Sequence, residues 1–497
     1  MSDLDQISKP ADETDKQARP ESNAPGLSGH SLSNHRISRH KKTRLNAPRR
    51  RVSRPRRTRQ NHSPGKVVAL VSVLLAGVIV FKVIFFPGSP GKPEITQLTE
   101  QNTQDSGQTQ IAYVKPKGLV LRAEDFSSSL LFAAGQNDFP TRRDILVQGH
   151  EFPLQLVYTI NEDLQIALSD WLDRYDPDFA VAVAIDPDSG KILALTTHVS
   201  DGQPMGNLAM SSAFPAASVF KIVTAAAAMD LGKLDPKSVI PFNGKSTSLY
   251  KKNVFQHKNT KWTRKPTLDE AFAKSINTVF GRIGLYTVGA AHLNSYANRF
   301  QFNTRINTDI PIDPSQTYIP AQDDWAVVEA ASGYTNKVTL SPLHGAILAA
   351  TMINGGKLMR PYMVDRAYDK KGRLVYKGHS QKLSLAITPE TAVNMQKLMS
   401  KTVSMGTARR SFRDFFKGQY ADIRVGGKTG TLSGGNLKGL NDWFVGYAYT
   451  DKRKLAYAVL NISLDKWKVK SHYLSRLMIE QYFDQTADVK MTASQEN

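Results

Sequence analysis

The sequence predicts a mixed α/β domain of the α+β type, whose sheet takes strands from both ends of that domain. Two apolar runs separated by a turn form a hairpin pattern early in it, at 179–186 and 191–195. Helical patterns fill the middle, and three more strand patterns follow at 423–431, 443–449 and 455–462. Strands at both ends with helices between them favour helices that pack against a sheet completed by the C-terminus.

The composition excludes several kinds of site. The chain has 497 residues, 40% of them hydrophobic, which is enough for two or three domains with a sizeable core. It has no cysteine, so disulfides, thiolate metal sites and cysteine nucleophiles are excluded. The histidines are scattered without the spacing of metal ligands, and we expect neither a metal nor another cofactor.

Much of the formal net charge of +21 lies near the N-terminus. Thirteen Lys or Arg residues and no acidic residue lie between Arg36 and Lys66. Residues 1–65 have almost no large apolar side chains, which predicts a disordered basic tail. Such a tail could bind nucleic acid, but its position before an apolar segment favours anionic lipid headgroups as the partner.

Residues 66–86 are predicted to form a transmembrane helix. The run 67–86 is long enough to span a bilayer and carries one charge, Lys82, near its far end, from which the ammonium can reach the interface. Since no small-residue cleavage site follows, we interpret the segment as an uncleaved signal anchor. The positive charge before it predicts a cytoplasmic tail and an extracytoplasmic remainder of the chain.

A linker and a small adaptor segment are expected over 87–155. The part before about residue 110 is rich in Gly, Pro, Gln and Thr, which is typical of a linker. Short apolar runs mixed with charges over 111–153 indicate a small strand-rich adaptor. The main domain is predicted at 156–485, and a polar tail at 486–497.

Further helices are predicted on both sides of the early hairpin. Thr159 and Glu162 have the spacing of a capping box, which predicts a helix that opens there and extends to about Tyr175. The remaining helical patterns cover 269–286, 338–353 before Asn354-Gly355-Gly356, 389–405 and 472–482.

The run from Phe214 to Met229 predicts a buried helix with two polar groups at its start. Ser218 and Lys221 are three residues apart, so they share one helix face about 5–6 Å apart. A serine beside a desolvated lysine is one form of an activated nucleophile. Ser-x-x-Lys is a weak pattern, however, and the chain repeats it at Ser248 and at Ser463 in polar segments.

Two later motifs strengthen the first. Ser275-Ile276-Asn277 lies within the helical stretch 269–286, and Lys428-Thr429-Gly430-Thr431 lies at a strand. Each motif alone could be an ordinary surface segment or strand end. The three in this order, each in the expected helix or strand context, indicate a site for acyl transfer through a serine.

The residue types match what acyl transfer requires. Ser218 is predicted to attack, with Lys221 as its base, because burial and the second cation Lys428 should lower the pKa of Lys221. Ser275 is predicted to relay a proton to the departing amine, while Asn277 orients Lys221 and the substrate amide.

The strand at the third motif is expected to bind the substrate. Lys428, Thr429 and Thr431 offer a charge and two hydroxyls to a substrate carboxylate, with Gly430 between them. The backbone N–H groups of Ser218 and Thr431 are predicted to form the oxyanion hole. The edge of the strand could also hold an extended peptide by main-chain pairing.

Residues 156–485 resemble the transpeptidase domain of high-molecular-mass penicillin-binding proteins. Beyond the three motifs, the resemblance rests on five segments: 159–165, 184–194, the helix ending in Asn354-Gly355-Gly356, Gly406-Thr407-Ala408-Arg409, and 442–447. It implies the fold of that family, an antiparallel sheet flanked by helices with a helical subdomain beside it. The site is then expected between the sheet and the subdomain.

The resemblance also implies a function. We expect a peptidoglycan D,D-transpeptidase in the bacterial cytoplasmic membrane, which cross-links stem peptides through an acyl-enzyme on Ser218 and is inhibited by β-lactams. A D,D-carboxypeptidase, a serine β-lactamase and a penicillin-binding sensor or scaffold remain alternatives. A hydrolase needs a base for the deacylating water, and the sequence places no obvious acidic residue for one.

Three departures from the family pattern stand out. Ala217 precedes the serine, where the family commonly has Gly. Residues 87–155 are too few for a glycosyltransferase domain, so we expect a monofunctional enzyme with a separate glycan polymerase as partner. The segment 242–266 is unusually basic and aromatic, and it is expected to alter the cleft.

Overall fold

The computed structural model describes residues 121–139, 142–147, 150–201 and 207–495. The predicted tail at 1–65, the predicted anchor at 66–86 and most of the predicted linker lie outside the described residues. In the ranges that are described, no helix is both long and apolar enough to cross a membrane.

The described elements alternate along the chain. Its strands are β1 (Arg142–Val147), β2 (His150–Tyr158), β3 (Phe179–Ile185), β4 (Ile192–Val199), β5 (Phe214–Pro215), β6 (Thr339–Leu340), β7 (Lys357–Met359), β8 (Val364–Tyr368), β9 (Leu374–Lys377), β10 (Lys382–Leu385), β11 (Arg424–Ser433), β12 (Leu440–Tyr449) and β13 (Lys454–Ser463). Its α-helices are α1 (Ser127–Gly135), α2 (Glu162–Tyr175), α3 (Lys221–Asp230), α4 (Lys251–Phe255), α5 (Leu268–Ala273), α6 (Asn277–Arg282), α7 (Ala290–Arg299), α8 (Asp324–Ser332), α9 (Pro342–Ile353), α10 (Pro389–Ser404), α11 (Arg409–Phe412) and α12 (Ser471–Gln495). Short 3₁₀ helices at Ala123–Phe126 and Ala217–Phe220 and a π-helix at Ile283–Val288 complete the set.

A five-stranded antiparallel sheet in the order β11-β12-β13-β3-β4 forms the centre of the fold. The expectation that early and late strands share one sheet is therefore confirmed. β11, which carries Lys428-Thr429-Gly430, is an edge strand, so one side of its backbone is free to pair with a ligand.

Both faces of this sheet are buried, which explains the nearly continuous apolar runs of its strands. On β3, Val181 and Val183 contribute to one core with α9 and α3, while Ala180 and Ala182 contribute to the opposite core with α2 and α12. Alternate residues of a strand point to opposite faces, so each strand serves both cores. The prediction of an antiparallel sheet flanked by helices is confirmed.

A second sheet, in the order β1-β2-β8-β9, joins the first two described strands to two strands from later in the chain. The segment 111–153 was expected to be strand-rich, but its described part combines a 3₁₀ helix and α1 with the strands β1 and β2. β2 continues past residue 156 and pairs with β8, with Leu156 opposite Ala367. The domain limit at 156 thus falls within a strand, and it stays a prediction.

Three local predictions were wrong. The helix predicted over 338–353 begins only at Pro342, because Thr339 and Leu340 form β6. The stretch 269–286 is not one helix: α5 ends at Ala273, and Ser275 adopts a left-handed conformation with φ 53° before α6 begins. The N-cap of α2 is Asn161, whose side chain accepts a hydrogen bond from the Leu164 amide at 2.9 Å, and not Thr159. Thr159 donates instead to the Ile192 carbonyl at 2.6 Å.

Candidate active site

Ser218 lies in the 3₁₀ helix that leads directly into α3. The backbone before it is anchored twice: the Ala216 amide donates to the Val338 carbonyl at 2.9 Å, and the Trp443 indole donates to the Pro215 carbonyl at 2.9 Å. Ser218 itself is partly exposed, whereas its neighbours on both sides are buried. The backbone at Ser218 is therefore held in place, and the partly exposed serine side chain lies among buried apolar neighbours.

The residue before the serine has an unusual conformation. Ala217 has φ 49°, in the left-handed region that favours glycine. Gly333, just after α8, makes room for this turn: a Cβ on Gly333 would lie 1.8 Å from the Ala217 carbonyl oxygen and 3.0 Å from the Ser218 nitrogen. The position of Ser218 thus depends on a close backbone contact with a glycine far away in sequence.

Lys221 is fully buried at the first turn of α3. Its Nζ lies 2.7 Å from Ser218 Oγ and 2.8 Å from Asn277 Oδ1, and it also donates to the Ser332 carbonyl. Burial lowers the pKa of Lys221 well below its usual range, and the charge of Lys428 lowers this pKa further. Both predicted causes of the lowered pKa are therefore present.

Asn277, the first residue of α6, is oriented by the basic segment 242–266. Its Nδ2 donates to the Thr247 carbonyl at 2.9 Å, and its amide donates to the Ser246 carbonyl at 2.9 Å. Because the Nδ2 end is fixed in this way, the oxygen of the amide must face Lys221. The segment 242–266 thus forms the wall that holds Asn277, a role its composition alone did not indicate.

Lys428 is also fully buried, on β11. Its Nζ donates to Ser275 Oγ at 2.9 Å and to the Thr429 carbonyl at 2.9 Å. Burial lowers the pKa of Lys428 to about 7. Lys428 therefore contacts Ser275 from a buried position, and its role at a substrate carboxylate stays a prediction.

The residues after Lys428 line the surface of the edge strand. A Cβ on Gly430 would lie 3.3 Å from the Ala217 Cβ, so β11 packs directly against the turn that carries Ser218. Thr429 is partly exposed, and its hydroxyl lies 2.5 Å from the Thr407 hydroxyl. Thr431 is exposed, and its hydroxyl donates to the Asp442 carboxylate at 3.4 Å.

The structure thus brings all three predicted motifs together. Two hydrogen-bonded pairs, Ser218 with Lys221 and Ser275 with Lys428, lie beside the edge strand. The roles assigned to these side chains stay predictions. Three participants were missed as site residues: Ser332, whose carbonyl binds Lys221, Gly333 and Thr407. Ser332 and Gly333 belong to no motif and reach the site through tertiary contacts, whereas Thr407 lies in the segment Gly406-Thr407-Ala408-Arg409, to which no role in the site was assigned.

The two other Ser-x-x-Lys copies have different surroundings. Ser248 donates to the Lys245 carbonyl at 3.1 Å, and Lys251 lies over the Trp325 ring at 5.5 Å. Ser463 ends β13. Neither copy opens a buried helix. For the described residues, no group of three or more His, Asp or Glu side chains is arranged to hold a metal ion.

Known proteins are similar to this chain in sequence and in fold. A sequence profile described as the penicillin binding protein transpeptidase domain matches residues 180–471, more than half of the chain. The peptidoglycan D,D-transpeptidase PbpA of Mycobacterium tuberculosis is 28% identical over 340 residues, which cover 61% of this chain and 66% of that protein. PbpA of Mycolicibacterium smegmatis is 28% identical over 379 residues, 68% of this chain and 73% of that protein.

A solved structure has the same fold. The penicillin G acyl-enzyme complex of penicillin-binding protein A from M. tuberculosis superposes with a TM-score of 0.53 at 26% identity. The match covers 66% of this chain and 80% of that one. The predicted resemblance therefore extends to the three-dimensional structure.

Proposed function

Because this chain belongs to the penicillin-binding protein transpeptidase domain family, we propose that it is a peptidoglycan D,D-transpeptidase with Ser218 as its nucleophile. Its substrates are peptidoglycan stem peptides that end in D-Ala-D-Ala, and β-lactams acylate the same serine. The relative of known structure forms a penicillin G acyl-enzyme, which supports this proposal.

The observation that carries the proposal is the set of three contacts made by Lys221. A neutral amine has two hydrogens and one lone pair. Asn277 Oδ1 and the Ser332 carbonyl can only accept, so they take the two hydrogens. The lone pair then faces Ser218 Oγ, 2.7 Å away, and the Ser218 hydroxyl donates to it. This is the geometry of a general base that is ready to receive the serine proton.

Acylation follows from this geometry. As Ser218 Oγ bonds to the carbonyl carbon of the penultimate D-alanine, its proton passes to Lys221 Nζ. The N–H groups of Ser218 and Thr431 stabilise the resulting oxyanion, and loss of one such donor typically costs about 3–4 kcal/mol. The C–N bond then breaks, and the proton held by Lys221 passes to the departing D-alanine amine through Ser275, which Lys428 holds at 2.9 Å, so that Lys221 is neutral again.

Transfer completes the reaction. The amine of a second stem peptide bonds to the acyl carbon, the ester bond to Ser218 breaks, and the proton of the amine returns to the serine oxygen. Where the structure describes the contacts of Ser218, Lys221, Ser275 and Lys428, their partners are hydroxyls, amides and carbonyls, with no carboxylate among them. A water molecule that attacked the acyl-enzyme there would have no carboxylate to act as its base. This favours transfer to an amine over the carboxypeptidase and β-lactamase alternatives.

The cellular setting is part of the proposal. The apolar run at 67–86 after an arginine-rich tail supports a single membrane span, with the catalytic domain outside the bacterial cytoplasmic membrane. A monofunctional transpeptidase requires a separate glycan polymerase as partner. Protease added outside spheroplasts should digest the linker after Pro87 and spare the tail.

A covalent labelling experiment tests the assignment of the nucleophile. The full-length protein is incubated with a fluorescent penicillin and analysed after denaturation. We expect stable labelling of the wild type and of the control Ser248→Ala, which removes the serine of another Ser-x-x-Lys copy. Ser218→Ala should not be labelled. Absence of label in the wild type, or label that survives in Ser218→Ala, would overturn the proposal, and release of the label within seconds would favour a β-lactamase.

A further inference from the structure

A cavity of about 450 Å³ beside the active-site strand is lined by Arg409, Arg410 and Arg413 together with Gly406 and Thr407. We refer to it as the arginine cleft. No part of the reaction described above uses its three guanidinium groups.

The guanidinium groups are free for a ligand. α11 buries Phe412 and is preceded by the buried Ala408, whereas Arg409 and Arg410 on this helix and Arg413 just after it are exposed. Across the described part of the chain, none of the three forms an ion pair or a side-chain hydrogen bond. Asp414, the acidic residue next to Arg413, is paired with Lys417 at 3.5 Å.

The arginine cleft is joined to the active site through Thr407. The Thr407 amide donates to the Ala273 carbonyl at 3.1 Å, two residues before Ser275. The Thr407 hydroxyl lies 2.5 Å from the Thr429 hydroxyl. A Cβ on Gly406 would lie 2.4 Å from the same Ala273 carbonyl oxygen, so this loop is docked closely on the end of α5. The cleft therefore opens on the side of the site where Ser275 and Thr429 lie.

We propose that the arginine cleft binds a carboxylate carried by the acceptor amine, and so selects anionic acceptors for the transfer step. This inference rests on the proposed function. By microscopic reversibility the attacking amine approaches where the departing amine left, beside Ser275 and Thr429. A guanidinium pairs with a carboxylate through two parallel hydrogen bonds, and three of them in one concave cleft favour an anion over a neutral group. Lys428 is fully buried, whereas the three arginines of the cleft are exposed to solvent.

The step that the cleft assists is the aminolysis of the acyl-enzyme. The acceptor nitrogen bonds to the acyl carbon, the ester C–O bond to Ser218 breaks, and one proton of the amine returns to the serine oxygen. The arginines do not touch the reacting atoms. They hold the carboxylate end of the acceptor so that its amine faces the ester.

The experiment uses the full-length protein and an acyl-D-alanyl thioester whose thiol leaving group is uncharged. Thiol release reports acylation, and the products are separated to give the rates of transfer to D-alanine and to D-alaninamide. D-Alanine carries a carboxylate that D-alaninamide lacks. Their amines also differ in basicity, but this difference is the same for every variant, so it cancels when the ratio of the two transfer rates is compared between variants. The test variant is Arg409→Gln/Arg410→Gln/Arg413→Gln.

The control removes the same charge elsewhere. Lys370→Gln/Lys371→Gln/Lys377→Gln changes three exposed lysines in and beside the β8–β9 hairpin, away from the active site. We expect the wild type and this control to prefer D-alanine over D-alaninamide equally. In the arginine variant the preference should fall by about tenfold or more, the scale of a charge-assisted hydrogen bond. In the wild type the preference for D-alanine should also decrease as the salt concentration rises.

Normal thiol release with the preference lost only in the arginine variant supports the proposal. An unchanged preference for D-alanine in the arginine variant overturns the proposal. Loss of thiol release in the arginine variant overturns it too, since the arginines would then act in acylation. A wild type that releases no thiol and binds no penicillin contradicts the proposed function itself, which is a distinguishable result.

Discussion

The close contact between Gly333 and the turn before Ser218 gives a sharp prediction. In Gly333→Ala the new Cβ would lie 1.8 Å from the Ala217 carbonyl oxygen. An ordinary carbon–oxygen contact is about 3.3 Å, so the two backbones must separate by roughly 1.5 Å. A misplacement of about 1 Å in a catalytic group costs on the order of 100-fold in rate, so we expect acylation to slow by at least that factor.

The variant Gly232→Ala is a control that places an alanine in the same backbone conformation without the steric contact. Gly232 follows α3 with φ 66°, close to the φ of 63° at Gly333, but a Cβ there meets no atom within 4 Å. Both alanine variants therefore carry the cost of a left-handed alanine, about 1–2 kcal/mol, and Gly333→Ala should melt at the lower temperature because it also carries the steric clash.

The assay is the rate of acylation by a fluorescent penicillin, measured below the melting temperature of each variant. Gly232→Ala should be acylated as fast as the wild type, and Gly333→Ala far more slowly. If folded Gly333→Ala is acylated at the rate of Gly232→Ala, the contact with Gly333 does not position Ser218.

Three further predictions follow from charged and polar groups. Lys428→Met removes a positive charge that lowers the pKa of Lys221, so this pKa should rise. In a stopped-flow pH profile, the acidic side of the acylation rate should therefore move to higher pH. An acidic side that does not move would contradict the coupling between the two lysines. Ser275→Ala should slow acylation by a D-Ala-D-Ala peptide about 100-fold or more while the circular dichroism spectrum stays that of the wild type, and an unchanged rate would exclude the proton relay. Burial raises the pKa of Asp309 to about 6, above its value in the unfolded chain. Between about pH 4 and 6 the native state therefore binds more protons than the unfolded state. The free energy of unfolding should fall as the pH rises through this range, by up to about 1.4 kcal/mol per pH unit. Asp309→Asn should remove that slope in urea unfolding curves, and an unchanged slope would assign it to other groups.

The motifs could be predicted from the sequence because their chemistry needs particular residue types at fixed local spacing. Ser218 and Lys221 share one helical turn, so their contact follows from the helix itself. Both limits of α10 and the C-terminal limit of α9 were predicted well, and the cap of α10, Thr388, stands just before a proline. These are features that a local pattern encodes.

The rest of the site depends on contacts between distant segments. Ser332 and Gly333 meet Ser218 and Lys221 only through packing of α8, and no local spacing indicates this. The interruption at Ser275 was missed because the pattern of residues 269–286 is helical throughout. Its left-handed conformation instead directs the hydroxyl toward Lys428, which a continuous helix would not do. Strained backbone of this kind is common where function requires it.

The reaction products show whether a stem-peptide acyl group is transferred through Ser218. The full-length protein is incubated with a stem peptide that ends in D-Ala-D-Ala and carries a free amine, and the products are weighed by mass spectrometry. We predict a cross-linked dimer, with one D-alanine released for each cross-link, and neither product in Ser218→Ala. Release of D-alanine with only the shortened peptide and no dimer, or a dimer that still forms in Ser218→Ala, would contradict transfer through Ser218.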